Sequence, residues 1–153
     1  MRILIVRLSS MGDIIHALPL AANARAAGAT VGWLTGRQYG GLLEGNPSID
    51  RVFLADTRRW RRNPFSPAYW REAARLRREL RDFAPDATVD VQGLWKSAVL
   101  ARMAGAPVVS FSAAARREPS SAVLVSTGVG LARDAVHIVD QNAGLLAPLG
   151  LPS

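Results

Sequence analysis

The chain has 153 residues, 49% of them hydrophobic and 20% charged. That is about one domain's length, with enough apolar material to bury a core. No apolar run approaches the ~18 residues of a membrane-spanning helix. The Ile3–Val6 run, cut short by Arg7, does not make a signal peptide, and the lack of cysteine excludes disulfides and thiolate metal sites. The formal net charge of +7 is unevenly placed: residues 57–81 hold nine arginines against Glu72 and Glu79, and the other ten cations and ten anions cancel. Such concentration points to an anionic partner met at one place. The plain alternative is an arginine-rich helix face that is merely solvated.

Ile3–Val6 predicts a strand buried on both faces. The turn Ser9–Gly12 follows, then a helix opening near Asp13. Pro19 is expected to kink or restart that helix, because proline lacks the N–H a helix interior needs. Gly28 closes the segment, and Thr30–Leu34 and Arg51–Leu54 read as the second and third strands. Thr57–Pro67 shows no clean periodicity and is expected to be a loop. Tyr69, Ala73, Leu76, Leu80 and Phe83 recur at spacings of three and four, which predicts an amphipathic helix over 67–83. Ala87–Val91 is a fourth strand, Leu94–Ala104 a helix, Val108–Phe111 a fifth strand and Val136–Leu149 a last helix. Ser112–Asp134 carries no clear period. This alternation gives an α/β, Rossmann-like parallel sheet with helices on both faces, with residues 1–150 as the domain and 151–153 as the start of a linker. Ligands of such sheets sit beyond the carboxyl ends of the strands. Ser9–Asp13, Thr57–Pro67 and Gln92–Ser97 therefore fall on the functional rim.

Neither GxGxxG nor GxxxxGK[ST] occurs, so the usual dinucleotide fingerprint and the P-loop are absent. Ser9, Ser10 and Gly12 instead offer hydroxyls and free N–H groups at a helix start, suited to an oxyanion or a sugar oxygen. Asp13 is either a helix cap or an ionised carboxylate that accepts a proton from a bound hydroxyl. His16, three residues on, either orients a ligand or packs, and His137 reads the same way. Arg58, Arg59, Arg61 and Arg62 surround Trp60. Guanidinium forks match carboxylates and phosphates, and Trp60 could shield them or stack on a sugar face. Arg71, Arg75, Arg78 and Arg81 read as a solvated helix face. Lys96, the only lysine, is an anion contact or a snorkelling surface residue. Arg116-Arg117-Glu118-Pro119 is a further basic turn.

The run Arg7-Leu8-Ser9-Ser10-Met11-Gly12-Asp13-Ile14-Ile15-His16-Ala17-Leu18-Pro19 resembles the opening of glycosyltransferase family 9, the lipopolysaccharide heptosyltransferases. The likeness continues through Arg58-Arg59-Trp60-Arg61, Asp90-Val91-Gln92-Gly93-Leu94-Trp95-Lys96-Ser97 and Arg117-Glu118-Pro119, and the opening loop is closer to the heptosyltransferase I branch than to the II branch. The resemblance implies inverting transfer of heptose from ADP-heptose to 3-deoxy-D-manno-octulosonic acid (Kdo) on lipid A, without metal or cofactor. It also implies a GT-B fold, whose amino-terminal half holds the acceptor. The other half, expected to be missing here, holds most of the nucleotide sugar, so this half alone is expected to be inactive. On that likeness Asp13 is the general base. Arg58, Arg59, Arg61, Lys96 and Arg117 hold Kdo carboxylates and lipid A phosphates. Ser9, Ser10 and Gly12 lie beside the donor diphosphate or the reacting sugar, and His16 is expected among the substrate-binding residues. A cytoplasmic enzyme at the inner leaflet of the inner membrane follows, with no nucleic acid partner. The rival expectation is a non-catalytic basic Rossmann-like module that binds nucleic acid or anionic lipid.

Overall fold

The computed structural model describes residues 1–62, 65–131 and 137–152, the Arg61 side chain excepted. Short apolar runs form an all-parallel sheet of β1 (Arg2–Val6), β2 (Thr30–Gly36), β3 (Arg51–Ala55), β4 (Ala87–Asp90), β5 (Val108–Phe111) and β6 (Thr127–Val129). Their order across the sheet is β3-β2-β1-β4-β5-β6. β1 is central: Val6 lies opposite Leu34 of β2 and Asp90 of β4.

Side chains alternate across a strand, so β1 feeds both layers. Ile3 and Ile5 pack with Ile14, Leu20 and Ala24 of α1 (Met11–Ala26), and with Leu145 and Leu146 beyond α5 (Ile138–Ala143). Leu4 and Val6 pack with Trp60 of α2 (Thr57–Arg62), Leu76, Leu80 and Phe83 of α3 (Pro67–Phe83), and Leu100 and Ala101 of α4 (Trp95–Met103). The predicted Rossmann-like sheet covered on both faces is what forms.

Three local expectations fail. Pro19 lies inside a continuous α1. The carbonyl that loses its partner N–H at position 19 belongs to Ile15, an exposed residue, while Ala17, Leu20, Ala21 and Ala24 bury one unbroken face. The expected loop Thr57–Pro67 begins as α2. Asp56 Oδ1 accepts the Arg59 N–H at 3.1 Å, and Trp60 is drawn into the core. The last helix is shorter than expected. His137 Nδ1 caps α5, accepting the Val139 N–H, and a 3₁₀ segment over Gly144–Leu149 follows; Val136 lies outside the described residues.

The sheet order reverses direction between β1 and β4, and the crevice at such a switch point is where open α/β sheets bind ligands. The loops leaving those two strands, Arg7–Ser10 and Val91–Leu94, therefore border that crevice.

Candidate functional site

The first loop is organised around Asp13. Its Oδ2 accepts the Ser10 N–H at 3.0 Å and the Ser10 hydroxyl at 2.9 Å, and pairs with Arg7 Nη2 at 2.7 Å. The N–H bond is the returning arm of a capping box at the start of α1, so Asp13 does cap its helix. All three contacts fall on one oxygen; among the described residues Oδ1 receives none. Asp13 keeps 36% of its side chain exposed, whereas Arg7 keeps 12%. Partial burial opposes ionisation, but the Ser10 N–H and the Arg7 charge outweigh it and hold the carboxyl below its ordinary value. Arg7 is fixed in turn by donating from Nη1 to the Val91 carbonyl at 2.8 Å, across the switch point.

The second loop is latched to the first. Gln92, nearly buried, accepts the Leu8 N–H at Oε1 (2.8 Å) and donates from Nε2 to Ser9 Oγ (3.4 Å). Gln92 itself is placed by Asp90, whose Oδ1 accepts the N–H groups of Gln92 and Gly93. Asp90 Oδ2 pairs with Arg116 Nη2 at 3.1 Å, with both side chains fully buried. Ser110, Ser121 and the Phe111 carbonyl accept three further Arg116 N–H donors, the kind of pairing a buried charge requires. Gly93 turns at φ +68°, with the backbone of Arg116 and Arg117 over the position a Cβ would take. Glu118 completes the turn: its N–H donates to the Gly93 carbonyl, and its carboxylate accepts the Trp95 N–H at the start of α4.

Between α2, α3 and α4 runs a groove of about 630 Å³. Its rim carries Ser9, Gln38, Thr57, Arg58 and Lys96; its wall is Trp60, Tyr69, Trp95, Val99 and Met103. Trp60 is a wall rather than a free stacking face. Its indole N–H donates to Glu72 Oε2 at 3.3 Å, and Arg37 holds the other oxygen of Glu72 at 2.8 Å.

The structure brings Ser9, Arg58 and Lys96 to the groove. Ser10 ends the β1–α1 loop one residue further on, and Asp13 stands in the first turn of α1, with Gly12 exposed between them. Burial is what chiefly lowers the Arg7 value, and the exposed Arg117 is close enough for its charge to add to that. Arg59 is exposed on α2, and the Arg61 side chain lies outside the described residues. His16 is not in the groove; it faces His137 at 6.4 Å between ring centroids, and its carbonyl accepts from Asn142. Sequence reasoning placed Gln92 on the rim without a role, and missed Arg7 and the Asp90–Arg116 pair as site-forming residues. Arg7 had a local signal, a charge ending a buried strand; the latch role of Gln92 had none, because its partners lie more than 80 positions away.

An all-parallel sheet in this order, with a charged crevice at its switch point, defines a Rossmann-like ligand-binding domain. The family model for glycosyltransferase family 9 (heptosyltransferase) matches residues 73–152, just over half of the chain. The chain belongs to this family. It is 35% identical over 122 residues to lipopolysaccharide heptosyltransferase 1 of Pseudomonas aeruginosa, covering 78% of this chain and 34% of that protein. To lipopolysaccharide heptosyltransferase 1 of Salmonella typhimurium it is 33% identical over 150 residues, covering 96% and 47%. It superposes on the E. coli heptosyltransferase WaaC, solved with ADP-2-deoxy-2-fluoro heptose, with a TM-score of 0.88 at 32% identity over 97% of this chain and 48% of that one. The chain thus spans half or less of the relatives it matches.

Proposed function

We propose that this chain forms the acceptor side of an inverting heptosyltransferase that moves heptose from ADP-heptose to Kdo of the lipopolysaccharide inner core. The donor is then held mostly by a second domain. The observation that carries the reading is the Asp13 carboxylate: ionised, partly exposed, anchored through one oxygen only, and set beside a cation-rimmed groove. In this reading Oδ1 takes the proton from the acceptor hydroxyl as that oxygen attacks the anomeric carbon. The bond from the anomeric carbon to ADP breaks, ADP leaves with the electron pair, and the configuration inverts. Arg7 keeps Asp13 anionic, and the Gln92 latch holds Ser9 and Leu8 in place. Arg58 and Lys96 meet the acceptor's anionic groups from the groove rim, and Arg117 approaches from the β5 side.

Calorimetry of a soluble, deacylated Kdo-bearing acceptor against the chain tests this. Binding that falls when Arg58 or Lys96 is changed to Ala supports the reading; binding indifferent to both changes would sink it. Alone, the chain should release no ADP from ADP-heptose plus acceptor, because catalysis by positioning needs both walls of the cleft.

A further inference from the structure

We infer that the outward face of α3 is a docking face for an anionic lipid bilayer. α3 turns Leu76, Leu80 and Phe83 into the core and leaves Trp70, Arg71, Arg77, Arg78 and Arg81 exposed. The glutamates of this helix are engaged elsewhere: Glu79 with Arg75 at 3.3 Å, and Glu72 with Arg37 and Trp60. Among the described residues none of these four arginines has an acidic partner, and the exposed Asp82 pairs with none of them. The outer face of one helix therefore presents four unpaired guanidinium groups against the single exposed carboxylate of Asp82.

Charge alone would suit any polyanion. The second observation is Trp70, which is 60% exposed and propped by the Tyr69 ring at 4.7 Å. An indole left in water beside arginines, on a helix with a well-buried opposite face, matches a leaflet boundary: the ring enters the headgroup layer and the guanidinium groups stay with the phosphates. Tyr69 and Ala73, on the adjoining flank of α3, line the groove. Docking through this face would bring the groove mouth to the membrane surface.

Bilayer docking depends on the charge and exposure of this face and not on sugar transfer. Vesicle binding can fail while a soluble acceptor is still bound, and the reverse, so the two readings fail separately.

Sedimentation of the 153-residue chain at physiological salt tests it, with vesicles of phosphatidylcholine alone or mixed with phosphatidylglycerol. Co-sedimentation with the anionic vesicles only is expected. Arg71→Glu with Arg78→Glu should lower partitioning at least ~25-fold, at about fivefold per basic residue lost near the surface. Trp70→Phe should remove most of a vesicle-induced blue shift in tryptophan emission. Arg71→Gln with Arg78→Gln serves if the reversed pair unfolds. Equal binding to neutral vesicles, unchanged binding by both double variants, or tighter binding to duplex DNA than to anionic vesicles would overturn the inference.

Discussion

Arg7 Nη2 sits 2.7 Å from Asp13 Oδ2, while Arg7 Nη1 bonds the Val91 carbonyl, so one guanidinium ties the catalytic candidate to the end of the neighbouring strand. The pair is partly wet, and its value is electrostatic before it is structural. It keeps a carboxylate anionic while, among the described residues, leaving the second oxygen without a partner.

Replacing Arg7 with Leu removes the main positive charge beside Asp13. The Asp13 carboxyl should then titrate higher than in the parent, measured by carbon-detected NMR of its side chain. The sign for stability follows: a carboxyl depressed in the fold stabilises the protein above its unfolded value, and that contribution is lost as pH falls through the folded value. The variant should therefore lose its Asp13-linked stability at a higher pH than the parent.

Gln92→Leu leaves the buried Leu8 N–H without its acceptor. A cost of ~1–3 kcal/mol is expected, read from the urea midpoint at unchanged slope. Because the same side chain bonds Ser9, the first loop should also show faster amide exchange.

Asp90→Ala strands Arg116 in the core, where the pair is fully buried. Losing one partner of such a pair costs ~3–5 kcal/mol. Adding Arg116→Met should recover part of the loss, and a double-mutant cycle measures how much.

The first five strands and α3 were legible because their apolar spacing is local: Ile3–Val6 is a continuous run and Leu76–Leu80–Phe83 a helical one. α2 was not, because Thr-Arg-Arg-Trp-Arg-Arg has one apolar residue and owes its helix to Asp56 and to the tertiary pull on Trp60. β6 was missed because its three residues carry no period. For Asp13, the sequence set capping against proton transfer as alternatives. The carboxylate has two oxygens, and using one as a cap leaves the other open. His16 shares α1 with Asp13, yet its exposed ring turns toward His137, a contact that no spacing rule could supply.

The most direct measurement is turnover by the enzyme assembled with its donor-binding half, following ADP release from ADP-heptose and a Kdo-bearing acceptor, parent against Asp13→Asn. Loss of a positioned general base should lower kcat by ~10²–10⁴, with acceptor affinity largely kept. A variant that turns over at the parental rate would contradict the role given to Asp13.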